Sequence, residues 1–274
     1  MDIATVLGLV LGVVIVIVVM VLDGGNPLEL LSNPSAILLT IGGALAATAY
    51  AMPLDAVLKL PKYFQKAFFT KKVNLVSIID TLASMADKAR REGLLALEEE
   101  SKKIPDPFLR QGIMLVVDGT DPSQVRAILE SEIKNMEERH EVGINFFNQA
   151  GGFAPTFGII GTVMGLISVL KELENPGKLA KSIASAFLAT LWGLLSANLI
   201  WIPVASKLTL RSKEEVMYRK MLMEGVLSLQ AGENPRIIKE KLSSFIPPNE
   251  RKTSGEKGGA GAPAKAKQGA KGQA

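Results

Sequence analysis

The 274-residue chain contains no cysteine and a single histidine, His140. Without cysteine there is no disulfide, no thiolate metal site and no Cys nucleophile, and the compartment is left unspecified. Aromatic residues make up only 5% of the chain. Enzyme signatures are missing as well: there is no Walker loop and no Gly-rich dinucleotide loop after a strand. His140, between Arg139 and Glu141, reads as a solvated histidine on a charged helix face. Asp87, Glu92, Glu98, Glu99 and Glu100 read as the wet face of a helix, because a metal site needs more convergence than a charge run supplies. No enzymatic activity and no cofactor are expected. The formal net charge is +4, with no basic stripe of the kind that binds nucleic acid.

What is present is aliphatic sequence. Hydrophobic residues reach 48% and mean hydropathy is +0.26, a poor fit to ordinary soluble domains. Four stretches are long and apolar enough to cross a bilayer, which takes about 20 helical residues. They run over Ile3–Leu22, about Ser35–Met52, about Gly151–Leu170 and about Ser182–Ala205. The first is expected to be a retained helix rather than a cleavable signal, since no Lys or Arg precedes it and Asp23-Gly24-Gly25-Asn26-Pro27 is a poor cleavage site. The link between the first two stretches has no Lys or Arg, whereas residues 53–150 carry fourteen and residues 207–274 another fourteen. The positive-inside rule therefore puts both long segments and both termini in the cytoplasm.

The cytoplasmic segments read as helical. Leu75, Ile78, Ile79, Leu82, Met85, Ala86 and Ala89 follow a 3.6-residue period. Asp121-Pro122-Ser123-Gln124 is a helix start, with Asp121 as N-cap and Gln124 completing a capping box, and this helix can run straight into the third span. Pro107 to Val117 forms a short helix before it. Ser212–Gln230 and a short helix from Asn234-Pro235 to about Phe245 follow the fourth span. The fold class is all-α: a polytopic membrane protein with four transmembrane helices and a helical cytoplasmic domain. The chain divides into residues 1–52 (spans one and two), 53–150 (cytoplasmic domain), 151–206 (spans three and four), 207–250 (C-terminal helices) and 251–274. The last segment is a basic tail with nothing to bury and is expected to be disordered. Its lysines, spaced among Gly and Ala, suit either contact with anionic membrane lipid or simple solubilisation.

None of the spans holds Asp, Glu, Lys, Arg or His. Ion conduction usually needs an ionisable group at depth, so a conducting protein of this design must take its titratable group from another subunit. The spans hold small residues and hydroxyls instead. Gly161 and Gly165 form a GxxxG with Thr162 beside it, which reads first as close helix packing. The fourth span carries Ser185, Thr190, Ser196 and Asn198.

Several separated motifs then appear in order: Gly93–Glu100 (GLLALEEE), Asp106–Leu109 (DPFL), Val116–Pro122 (VVDGTDP), Met136–His140 (MEERH), Ala154–Leu166 (APTFGIIGTVMGL), Ala189–Gly193 (ATLWG) and Leu227–Gly232 (LSLQAG). Together they resemble the flagellar motor stator subunits of the MotA/PomA type, over nearly everything except the tail. The resemblance implies a homo-oligomer, a pentamer around a dimer of MotB/PomB-type subunits, in the bacterial inner membrane. The partner's transmembrane Asp would bind the ion, H+ or Na+, and flux would drive the ring against the rotor protein FliG. It assigns rotor contact to Arg90 and Glu98, eight residues apart and so about 80° from each other on a continuous helix. It assigns conformational coupling to Pro155 and Pro203, and the ion pathway to Thr162 and Thr190. Because similar threonines occur in proton-type and sodium-type members, the ion stays open. The alternative is an ExbB/TolQ-type energiser of outer-membrane transport, which shares the Gly-x-x-Gly-Thr-x-x-Gly pattern but has three spans. A passive scaffold would leave the two prolines and the hydroxyls near them without a role.

Overall fold

The computed structural model describes residues 3–69, 74–171 and 176–248. Among the described residues every regular element is helical. The uncharged α1 (Ile3–Leu22) is followed by a short 3-10 turn over Pro27–Leu31. The second span is assembled from α2 (Pro34–Ile37), a π turn over Leu38–Gly42 and α3 (Gly43–Ala51). Asn33 starts it by accepting the Ala36 amide at 3.3 Å, which satisfies a donor that the first helical turn cannot. Two short helices follow, α4 (Leu54–Leu58) and α5 (Leu60–Phe68). The latter is strongly amphipathic and has no counterpart among the elements expected from the sequence.

Next come α6 (Leu75–Glu92), a 3-10 turn over Leu94–Ala96, α7 (Leu97–Lys102) and α8 (Pro107–Val117). A 50-residue α9 (Pro122–Lys171) contains the third span and passes unbroken through Pro155. It starts where Asp121 accepts the Ser123 amide at 2.8 Å and the Ser123 hydroxyl at 2.6 Å. Those two bonds hold the Asp121 carboxyl below its usual value. The fourth span is α10 (Pro176–Ser196), a π turn over Ala197–Trp201, and the start of α11 (Ile202–Gln230). No break separates span from cytoplasmic helix at Ser212; α11 covers both. It ends at Gly232, whose φ of 69° is a left-handed conformation that favours glycine. Last is α12 (Pro235–Ser243). Four helical stretches, Ile3–Leu22, Pro34–Ala51, Pro122–Lys171 and Pro176–Gln230, are long and apolar enough to cross a membrane.

The chain forms two compact units, Met1–Lys72 with Glu130–Met217, and Val73–Leu129 with Tyr218–Ala274. Both α9 and α11 contribute to each. These boundaries follow compactness, whereas the sequence division at residues 52, 150 and 206 followed the expected membrane surface.

In the first unit Phe146, Phe147, Ala150, Ala154, Trp201 and Ala205 form a buried core. Phe64 of α5 meets Phe147 edge-on at 4.9 Å, and Phe147 lies 6.2 Å from Trp201, so the scarce aromatics are concentrated where α5 docks. His140 departs from its expected exposure. Its side chain is only 21% exposed, with Nε2 3.7 Å from Glu215 Oε2, and Nδ1 is 3.1 Å from Ser212 Oγ. Sequence neighbours could not show this, because both partners come from α11.

The second unit packs α6, α7, α8 and α12 with the first turns of α9 and the last turns of α11 around Leu82, Ile113, Leu129, Leu222 and Leu242, all fully buried. Asp106 caps α8 through the Leu109 amide at 3.0 Å and accepts the Tyr218 hydroxyl at 2.9 Å. Burial, then the bond to Asp106, pushes the Tyr218 phenol far above its usual value. Lys239 closes α12 onto α6 through Asp80 at 2.6 Å.

Candidate functional site

The third and fourth spans meet along a seam of small residues. A Cβ placed on Gly161 would lie 2.5 Å from Ala189 Cβ, and one on Gly165 would lie 2.5 Å from Ala186 Cβ. On Gly193 it would come within 2.7 Å of Ala154 O and 3.3 Å of Pro155 Cα. The separations of 2.5 and 2.7 Å are too short for real Cβ contacts, so only glycine permits them. The spacing of Gly158, Gly161 and Gly165 puts them on one face of α9, and Ala186, Ala189 and Gly193 line the facing side of α10. Close packing is what the GxxxG pattern implied.

Within this seam Thr162 and Thr190 meet. Their Oγ1 atoms are directly hydrogen-bonded. Thr162 also donates to Gly158 O at 3.1 Å or Ala186 O at 3.3 Å, and Thr190 lies 3.4 Å from Gly158 O. Two hydroxyls and two carbonyl oxygens therefore converge between two helices with no charged side chain in their apolar parts. Such a cluster can solvate a cation or relay hydrogen bonds, but it carries no titratable group at neutral pH.

The two prolines sit differently. Pro155 is half-buried on the seam, against Gly193. It cannot donate to the Gly151 carbonyl, yet α9 stays helical. Pro203 is exposed and follows the π turn over Ala197–Trp201, where a widened helix accommodates the missing donor. Outside the seam, Asn33 donates to the Ser185 hydroxyl, and Trp192 Nε1 donates to Leu30 O at 2.8 Å. Both bonds tie the link after α1 to α10, and neither had a signal in the sequence beyond the presence of a donor in an apolar run.

In the second unit the Arg90–Glu98 segment departs from the one-helix geometry expected for it. Helix α6 ends at Glu92, and Gly93, at φ 85° and ψ 166°, turns the chain into the 3-10 turn. Arg90 and Glu98 thus lie on different helices, α6 and α7, and the 80° estimate does not apply. The physical reason is Gly93: it weakens a helix and it reaches a backbone region that side-chain-bearing residues avoid. Helix α7 is held to α6 by Lys88 and Glu100, 2.9 Å apart.

This corner presents charge. Arg91 pairs with Asp87 at 2.9 Å, whereas no ion pair or hydrogen bond engages the exposed Arg90 side chain among the described residues. Lys102 is shared between Glu98 at 3.5 Å and Glu99 at 2.8 Å. Bonds from Lys88 and Lys103 hold the Glu100 carboxyl below its usual value, and Lys102 does the same for Glu99. The carboxylates are thus taken up by lysines, and Leu95 stands 75% exposed among them. Among the described residues no group of three or more His, Asp or Glu side chains is arranged to hold a metal ion.

Residues 100–221 match the model of the MotA/TolQ/ExbB proton channel family. Motility protein A of Bacillus subtilis is 39% identical over 94% of this chain and 96% of its own length. Chemotaxis protein PomA of Vibrio alginolyticus is 37% identical over 90% of this chain and 96% of its own. Among solved structures, the flagellar MotAB stator complex from Bacillus subtilis superposes with a TM-score of 0.85 at 38% identity, covering 92% of this chain and 98% of that one. The chain belongs to the MotA/TolQ/ExbB proton channel family, with the MotA-type stator subunits.

Proposed function

We propose that this chain is the ring-forming subunit of a flagellar stator. It assembles with copies of itself around a MotB-type partner, conducts H+ or Na+ across the inner membrane, and turns that flux into torque on the rotor protein FliG. The observation that carries this reading is the Thr162–Thr190 oxygen cluster in a seam without any ionisable side chain. The site has oxygens for a cation or a proton relay and lacks only a titratable carboxylate, which a partner helix bearing an Asp would supply. The long segments face the cytoplasm, where their basic residues are retained.

Torque is passed on through α9 and α11, the helices that continue from the spans into the cytoplasmic helices. Pro155 leans on Gly193 one turn from Gly158, whose carbonyl both threonines approach, so a change in ion occupancy acts first on this stretch of α9. Pro203, behind the π turn, gives α11 a second place to adjust. The rotor contact lies at the α6–α7 corner. Among the described residues Arg90 is the basic residue of this corner without an ion pair, and Glu98 is the more weakly engaged of the two carboxylates on Lys102.

A strain lacking this gene tests the reading directly. Flagella should be assembled but not rotating, and restoring the gene should restore swimming, with its dependence on external sodium identifying the ion. Normal swimming in a strain with no second stator gene would overturn the proposal.

A further inference from the structure

Helix α5 carries its charge on one side only. Lys59, Lys62 and Lys66 recur at three- and four-residue spacing, so they share one stripe, and all three are exposed. The opposite side is taken up by the protein itself. Ala67 is fully buried, and Phe64 lies 4.9 Å from Phe147 and 6.4 Å from Trp201. Among the described residues no carboxylate pairs with any of the three lysines. Asp55 is the sole acid between Met52 and Phe69, and among the described residues it makes no ion pair with Lys59. Lysines of the charged helices behave otherwise: Lys88, Lys102, Lys103 and Lys239 each lie 2.6–3.2 Å from a carboxylate.

The depth of the stripe follows from α1. Its 20 uncharged residues rise about 30 Å at about 1.5 Å each, the thickness of a hydrocarbon core. The first turn of α1 therefore marks one edge of that core. Phe64, Ala67 and Phe68 line one groove together with Ala4 of that turn and Gly8 of the next, so α5 lies at the same edge. The second span ends at Ala51, shortly before α5, and Tyr50 there is 96% exposed. An exposed aromatic at a span end suits the height where headgroups begin. Lysines at that height reach phosphates while their stems stay on apolar surface.

We propose that α5 lies against the headgroup layer of the membrane and that Lys59, Lys62 and Lys66 bind anionic phospholipid there. An amphipathic helix that inserts into a bilayer uses its apolar face; here that face is occupied by Phe147 and Trp201. The contact is therefore electrostatic, set by headgroup charge and weakened by salt. It rests on the membrane-crossing helices and is independent of the torque reading.

Native mass spectrometry of the purified full-length assembly in mild detergent, titrated with equal amounts of phosphatidylglycerol and phosphatidylcholine, tests this. Phosphatidylglycerol adducts should dominate, and the preference should fall as ammonium acetate is raised. Lys59→Gln, Lys62→Gln and Lys66→Gln combined should cut the preference by more than about tenfold, since one lysine near an anionic surface is worth about fivefold. The corresponding triple change to arginine should keep both the preference and the assembly mass, which separates charge from folding. Lys62→Gln alone, with an expected loss of about fivefold, serves where the triple variant does not assemble. Equal retention of the two lipids by the wild type would overturn the proposal. So would a glutamine triple of normal mass that still prefers phosphatidylglycerol, or an arginine triple that loses the preference. A wild type that binds neither lipid, with a glutamine triple that dissociates, would overturn it in favour of acids from a second copy covering the stripe.

Discussion

Along the α9–α10 seam the protein removes side chains so that backbone meets backbone, with Gly161, Gly165 and Gly193 each too close to the facing helix to carry a Cβ. At the α6–α7 corner it does the reverse. Long charged side chains from Asp87 to Lys103 stand in water and pair with one another at 2.8–3.5 Å. The seam is fixed by sterics, which are short-ranged and do not yield to salt. The corner is held by exposed ion pairs that are each worth little and are screened by salt. A surface that must engage and release a partner can be made of the second material. A helix pair that must hold an ion site in register needs the first.

The comparison can be broken most severely at the seam. Gly161→Val should abolish assembly and swimming together, since overpacking costs about 1–3 kcal/mol even where a core can adjust, and here two helices must separate. Gly152→Ala, on the same helix with nothing within 4 Å of its Cβ, should leave ring yield and swimming speed unchanged. If both variants assembled normally, the seam would not be steric.

Pro155→Leu comes next. It should stop rotation while leaving the ring intact on size exclusion, because α9 already continues through this position and leucine restores a donor. Swimming at normal expression would count against a coupling role. A double reversal at the corner, Arg90→Glu with Glu98→Lys, should reduce swimming speed strongly without lowering ring yield. Removing residues 251–274, which lie outside the described residues, should cost less; an equal loss would move the rotor contact elsewhere. The smallest effect should come from Arg91→Ala, which loses one exposed i,i+4 pair with Asp87, worth about 0.3–0.5 kcal/mol. Its swimming speed should stay near wild type while Arg90→Ala falls clearly below it, and equal deficits would show that the two arginines share the contact.

Most helices could be read from local pattern. The bounds of α1 follow from an uninterrupted aliphatic run, and the start of α9 from the Asp121-Pro122 cap. Helix α5 is strongly amphipathic but only nine residues long, too short a window to stand out from its flanks, and only the docking of Phe64 on Phe147 reveals its role. The Thr162–Thr190 pair was named through resemblance, and their contact depends on helix packing across 28 positions. For Arg90 and Glu98 the residue types were legible and the geometry was not, because Gly93 offers both a weakened helix and a sharp turn, and tertiary packing chooses between them.

The sequence by itself determined that this chain has four apolar helices, no charge within them and a charged helical remainder, since hydropathy and periodicity are properties of neighbours along the chain. It also carried the condition that, for conduction, the titratable group has to come from another subunit, because no span holds an ionisable residue. Only the tertiary structure decided that the glycines of one span face the alanines of the next, that two hydroxyls and two carbonyls converge there, and that Arg90 and Glu98 sit on separate helices. These are distances between residues far apart in sequence, set by which surfaces can approach closely, and local chemistry does not encode them.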